Sequence, residues 1–188
     1  QDLRQLSVIS DGVGSGESAA RSSSTVINML ERLLSGGFDE DKAIEIINSV
    51  IKLKGEDDLF ATLDAAIINE KDAQCYFIKL GAAPTYLIEK GKVVTITSTN
   101  IPVGLVDSSD YIPICKKLDY GDFVIQLSDG VIPDTIDPNN NYIKNFLSTC
   151  DVTKSAKVIA QELKEVININ NDGVYDDDIT VIVNKIEK

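Results

Sequence analysis

An α+β fold, with helices packed on antiparallel strands, is what three observations on this sequence predict. Helical periodicity is concentrated toward the two ends, at residues 18–51 and 153–167. The middle carries short β-prone runs, and most of these are joined by connections too short to hold a crossover helix. At 188 residues with 43% apolar and 26% charged side chains, the chain suits one domain with a true core, residues 1–188.

Taken in order, residues 3–10 read as a strand that runs into Asp11. Gly12, Gly14 and Gly16 follow, giving backbone freedom and room for close approach, and Ser15 or Ser18 supplies an N-cap. Val26, Ile27, Leu30, Leu33 and Leu34 then recur at helical spacing until Gly36-Gly37 stops the helix. Asp39 caps a second helix whose apolar face is Ala43, Ile44, Ile47, Val50 and Ile51, so the two form a hairpin. Strands are expected at Leu59–Ile68, Ala73–Leu80, Thr85–Ile88, Val93–Thr97, Ile112–Leu118 and Phe123–Leu127, paired as an antiparallel meander. After a polar loop at Pro133–Asn141 a short helix is expected near Tyr142–Leu147. Thr153 caps a further helix with Ala156, Ile159, Ala160, Leu163, Val166 and Ile167 facing inward, and Ile179–Val183 is the last strand.

Composition excludes several classes of function. Thirty acidic against eighteen basic residues leave a net charge of −12, so nucleic acid is not an expected ligand. No run approaches the ~20 apolar residues of a membrane helix, and the first residues lack the apolar core of a signal peptide. The domain is therefore expected to be cytoplasmic and to make no membrane contact. Cys75, Cys115 and Cys150 lack metal-ligand spacing and fit reduced core thiols. With no histidine at all, Ser-His-Asp and Cys-His catalysis and HExxH zinc sites are ruled out. Chemistry has to run on carboxylates, hydroxyls, lysines, main chain or a bound metal.

Three acidic sites share one placement. Asp11 follows a strand and precedes Gly12; Asp129 follows Phe123–Leu127 and precedes Gly130; Asp176-Asp177-Asp178 precedes the last strand. Alone, an Asp-Gly is a turn and a run of Asp is a solvated loop. Brought together at one end of a sheet, the carboxylates would repel each other, and a hard cation such as Mg²⁺ or Mn²⁺ relieves that repulsion. Other motifs fail: Glu17 stands where a dinucleotide fingerprint needs its third glycine, there is no GxxxxGK, and an EF-hand read from Asn168 would place Ile179 where a bidentate Glu is required.

At this point the motifs resemble a known family. Ser10-Asp11-Gly12-Val13-Gly14-Ser15-Gly16, Leu118-x-x-Gly121-Asp122-x-x-x-x-Leu127-Ser128-Asp129-Gly130 and Asp177-Asp178-Ile179-Thr180-Val181 occur in the order and spacing of the metal-dependent (PPM, type 2C) serine/threonine phosphatases. Ser49-Val50-Ile51, Ala61-Thr62-Leu63-Asp64, Leu80-Gly81-Ala82-Ala83-Pro84 and Ile101-Pro102-Val103-Gly104 resemble the bacterial branch that contains the catalytic domain of stage II sporulation protein E. The resemblance implies two antiparallel sheets packed as a sandwich with helical layers outside. It implies two Mn²⁺ or Mg²⁺ ions, with Asp11 bridging both, the Gly12 carbonyl completing one, and Asp129 and Asp177 supplying the remaining carboxylates. Gly130 and Asp178 belong to the same motifs, and Asp64 is either a supporting acidic residue or a buried structural carboxylate.

The implied substrate is a phosphorylated anti-anti-sigma factor, hydrolysed by attack of water without a protein nucleophile. Helices 18–51 start close to Asp11 and are expected to form a regulatory element and dimer surface. Only ten residues precede Asp11, whereas the family's domain has further strands upstream. The expectation is a domain truncated on its N-terminal side, cut from a longer, membrane-anchored chain. A catalytically weak regulatory module that binds the same partner is the alternative.

Overall fold

A computed structural model describes residues 4–14, 16–54, 60–97, 101–105, 114–131, 141–171, 173 and 177–187. Eight strands and four α-helices occur among them: β1 Arg4–Ile9, α1 Gly16–Ser35, α2 Glu40–Lys54, β2 Leu63–Asn69, β3 Gln74–Leu80, β4 Thr85–Glu89, β5 Lys92–Ile96, β6 Ile114–Lys117, β7 Phe123–Leu127, α3 Tyr142–Thr149, α4 Ala156–Asn170 and β8 Val181–Lys185. They fall into two compact units, one of residues Gln1–Ala82 and Ser98–Lys116, the other of Ala83–Thr97 and Lys117–Lys188.

The first unit holds a sheet in the order β1-β2-β3-β6. Its core joins Leu63, Ala65 and Ile67 of β2 and Ile78 and Leu80 of β3 to Val26 and Leu30 of α1 and Ile44, Ile47 and Ile51 of α2. The hairpin of α1 and α2 is the one the periodicity predicts. Its turn closes with Phe38 N–H on the Leu33 carbonyl and Gly37 N–H on the Leu34 carbonyl. Gly37 is left-handed at φ +88°, which glycine adopts without strain. Asp39 caps α2 as expected, its carboxylate accepting the Lys42 N–H at 2.8 Å.

The second unit holds a sheet in the order β5-β4-β7-β8. Tyr86, Ile88, Phe123, Ile125 and Leu127 of its strands form one core with Ile143 and Leu147 of α3 and Ile159, Leu163 and Ile167 of α4.

Several expectations are corrected. The strands do not form one meander. β2–β3 and β4–β5 are hairpins, but β3 and β4 belong to different sheets, and β7 inserts between β4 and β8. The Gly81–Pro84 link does not close a hairpin, because β4 pairs with β5 and β7 and not with β3. Thr153 is not a cap: Asp151 Oδ1 captures both its N–H and its hydroxyl, and Ser155 caps α4 instead. Ser18 lies inside α1, which begins at Gly16, and Ser15 lies outside the described residues. The last strand starts at Val181 rather than Ile179, because a serine hydroxyl interrupts its ladder at Thr180. Leu59, residues 112–113, Asp176 and nearly all of the predicted 133–141 loop also lie outside the described residues.

Candidate metal centre

In the first unit β1 and β2 pair in a register ending at Ile9↔Asp64, and the bridge Gly12↔Ala61 continues that register beyond the strand. Asp11 therefore stands opposite Thr62. Thr62 N–H donates to the Asp11 carbonyl at 2.7 Å. The Asp11 N–H, however, donates to Thr62 Oγ1 at 2.9 Å, while the Thr62 carbonyl accepts the Ser10 hydroxyl at 2.7 Å. Two residues on, Val13 N–H donates to the Phe60 carbonyl at 2.8 Å. These bonds fix the main chain and leave the Asp11 side chain exposed.

Gly12 is buried, and of the two expected reasons for glycine, backbone freedom and close approach, the second is the one that applies. Its φ lies outside the left-handed region. A Cβ at this position would sit 1.9 Å from the Ala19 carbonyl oxygen, so the first turns of α1 cross too close for any side chain. Space, not conformational freedom, is what glycine provides here.

The second unit repeats the device. The β7–β8 register ends at Leu127↔Val181, which sets Ser128 opposite Thr180. Ser128 N–H donates to the Thr180 carbonyl at 3.0 Å, but Thr180 N–H donates to Ser128 Oγ at 2.9 Å. The Ser128 hydroxyl in turn donates to the Asp178 carbonyl at 3.1 Å. Residues Asp129–Val131 then form one turn of 3-10 helix. Gly130 is glycine for the same reason as Gly12: a Cβ there would lie 2.6 Å from the Asp178 carbonyl oxygen and 3.2 Å from Asp177 Cβ.

This crossing brings Asp129 and Asp177 together, with carboxylate oxygens within 4.8 Å of each other. Each carboxylate is oriented by the N–H of the next residue, Gly130 on Asp129 Oδ1 at 3.1 Å and Asp178 on Asp177 Oδ1 at 2.7 Å. Both side chains are exposed. Two carboxylates held this close present the hard oxygen set that Mg²⁺ and Mn²⁺ prefer, and these residues fit such an ion. A cavity of about 910 Å³ adjoins Asp177 and Asp178, with Lys157 and Lys164 of α4 on its wall.

Asp64 has different surroundings. It is the direct cross-strand partner of Lys79, and its Oδ2 lies 2.8 Å from Lys79 Nζ with both side chains fully buried. Burial pulls the Lys79 ammonium below the ordinary lysine range, and the Asp64 carboxylate opposes that fall. The buried structural arrangement is the one these contacts describe.

Thr62 and Ser128 are the residues that sequence reasoning passed over, quoting them inside motifs without a role. The one local signal is a hydroxyl side chain at the position where a strand ends next to an Asp-Gly.

The family described as Stage II sporulation protein E (SpoIIE) matches residues 1–187. Stage II sporulation protein E of Bacillus subtilis (strain 168) is 33% identical over 186 residues, 98% of this chain and 22% of that protein. The chain thus spans about a fifth of the length of this curated relative. Among solved structures, the PP2C phosphatase domain with a fragment of the regulatory domain of Bacillus subtilis SpoIIE superimposes with a TM-score of 0.83 at 32% identity, covering 96% of this chain and 54% of that one. A manganese-presoaked structure of the Bacillus subtilis phosphatase domain gives a TM-score of 0.65 at 29% identity, covering 98% and 85%. The two antiparallel sheets and four helices match these domains.

Proposed function

This chain belongs to the stage II sporulation protein E family, and from that premise we propose that it is a metal-dependent protein serine/threonine phosphatase of the PPM type. Its proposed substrate is a phosphoserine on an anti-anti-sigma factor. The observation that carries the proposal is the convergence of Asp129 and Asp177, oriented by neighbouring amides and pressed together at Gly130. Carboxylates are not gathered this way for stability, since like charges at short range repel.

Asp11 and the Gly12 carbonyl join Asp129 and Asp177 as ligands of two Mn²⁺ or Mg²⁺ ions, and residues 1–188 act as one domain. Gly130 and Asp178 support the ligands through the main-chain crossing. Asp64 supports them at a distance, by anchoring β2 through Lys79. Held by these oxygens, such ions would supply Lewis acidity toward the phosphoryl group and toward a water. The protein's own contribution is to hold these oxygens, and Lys157 and Lys164 beside Asp177 offset the substrate's negative charge. No histidine is present to act as base or acid. The hairpin α1–α2 is proposed as a regulatory dimer surface, with Leu53, 85% exposed at the end of α2, as the residue to test.

The test is a manganese titration with the phosphorylated protein and with p-nitrophenyl phosphate. Turnover requires Mn²⁺, and Asp11→Asn or Asp129→Asn lowers it by more than about 100-fold, as expected when a ligand and not merely its outer partner is lost. Activity that survives Asp11→Ala combined with Asp129→Ala overturns the proposal. Sedimentation of the chain with and without Leu53→Glu checks the dimer surface.

A further inference from the structure

The structure assigns to two hydroxyls, Thr62 and Ser128, the role of positioning residues for the ligand carboxylates at the two strand ends, an assignment that rests on Asp11, Asp129 and Asp177 being metal ligands. The two sites lie in different sheets, and each shows the same departure from regular pairing.

In an antiparallel ladder the two residues of a hydrogen-bonded pair exchange both N–H···O=C bonds. At Asp11↔Thr62 only one of the two is present, Thr62 N–H to the Asp11 carbonyl at 2.7 Å. The other is diverted: Asp11 N–H goes to Thr62 Oγ1 at 2.9 Å, and the vacated Thr62 carbonyl is taken by the Ser10 hydroxyl at 2.7 Å. At Ser128↔Thr180 the ladder bond from Ser128 N–H to the Thr180 carbonyl survives at 3.0 Å. Its counterpart, Thr180 N–H, goes to Ser128 Oγ at 2.9 Å, and that hydroxyl reaches on to the Asp178 carbonyl at 3.1 Å. In both pairs a side-chain oxygen replaces a carbonyl as acceptor.

The replacement has a geometric effect. The peptide N–H must turn from the ladder direction toward the hydroxyl, and the residue carrying it leaves the regular pleat without losing its bond. At Thr62 the turned peptide is that of Asp11 itself, so the hydroxyl fixes the direction from which the carboxylate projects. At Ser128 the hydroxyl ties the end of β7, one residue before Asp129, to the carbonyl of Asp178, one residue after Asp177. It therefore sets the spacing of the two carboxylates that stand within 4.8 Å. Partners that orient ligands in this way change metal affinity by roughly 10–100-fold when removed.

The test measures Mn²⁺ binding by calorimetry on the full chain, alongside the melting temperature in EDTA. Thr62→Val keeps the side-chain shape and removes the acceptor; Thr62→Ser keeps the acceptor. Ser128→Ala and Ser128→Thr make the matching pair. The expected result is a Mn²⁺ affinity about 10-fold or more weaker in Thr62→Val and Ser128→Ala, near-normal affinity in Thr62→Ser and Ser128→Thr, and melting in EDTA within a few degrees of the parent chain. Unchanged affinity in Thr62→Val and Ser128→Ala overturns the assignment. So does a loss that the hydroxyl-bearing variants fail to restore, since that marks a packing role. If Thr62→Val does not fold, Thr62→Ala, which also removes the acceptor, replaces it and is held to the same weakening. Asp11→Asn is measured in parallel: Mn²⁺ binding undiminished there removes the ligand reading itself, whereas binding lost there but kept in Thr62→Val removes this assignment alone.

Discussion

Gly12 and Gly130 each mark a place where a second backbone segment crosses a strand end within van der Waals distance. A methyl group at residue 12 would fall 1.9 Å from the Ala19 carbonyl oxygen, an overlap that only movement of α1 can relieve. Gly12→Ala is expected to cost at least the upper part of the range of about 1–3 kcal/mol seen for overpacking, lowering the melting temperature by several degrees. Gly14→Ala is the control. Gly14 has open space around it and a φ of +100°, so that substitution costs only the left-handed strain, about 1 kcal/mol. Cys75 gives a second residue-scale prediction. Burial, with a smaller effect from Cys115, pushes its thiol up to about 12. The folded state therefore holds this proton more tightly than the unfolded chain does. The stability it contributes is complete below the ordinary thiol pKa of 9.0 and is lost as pH rises through about 12. Thiolate absorbance followed against pH is expected to show the Cys75 step only near pH 12. Cys115 is exposed rather than the core thiol expected, and alkylation at pH 8 is expected to reach it before the buried Cys75.

Among elements, those with strong local signals were legible in the sequence. β7 was expected at Phe123–Leu127 and lies there, because an apolar run is closed at one end by the Gly121 turn and at the other by Ser128-Asp129-Gly130. Asp39 capped α2 as its chemistry requires. What the sequence could not carry was information that depends on distant partners. Thr153 and Ser155 are equally good caps in isolation, and only the capture of Thr153 by Asp151 decides between them. The role of Thr62 depends on a register linking it to Asp11 across 51 residues. The buried pair of Asp64 and Lys79 ties β2 to β3 by the same long-range logic. Lys79→Met leaves the Asp64 carboxylate buried without its cation and is expected to cost about 3–5 kcal/mol in urea unfolding. Adding Asp64→Leu to that variant is expected to recover most of the loss, since an apolar pair of similar volume is close to neutral.

For the whole molecule, the fold class followed from the order of the elements and the two sheets from the family resemblance, while which strand falls in which sheet was hidden by short connections that resemble hairpin links. A net charge of −12 adds a general repulsion, which cations reduce. On the proposed single-domain reading, Mn²⁺ binds the folded chain alone. Calorimetry is then expected to show one transition, shifted upward by Mn²⁺ at concentrations well above its Kd, with about 2.7 kcal/mol gained at one hundred times Kd. Two separate transitions, with only one responding to Mn²⁺, would contradict the single-domain proposal. No α-helix among the described residues is long and apolar enough to cross a membrane.

Six successive residue pairs zip β1 to β2, but past Ile9 the same register continues with one ladder bond diverted to a side chain and ends in the bridges Gly12↔Ala61 and Ala61↔Val103. Here the β1–β2 register runs out through single bridges and side-chain acceptors, and such a ladder end frays at a fraction of the global unfolding free energy. In deuterated buffer the amides of Val13, Thr62 and Val103 are expected to exchange well before those of β2, and to slow when Mn²⁺ is present. The consequence is a temperature range below the melting point in which β1 and β2 stay paired but the Asp11 end frays. Inactivation on warming would then precede unfolding and reverse on cooling.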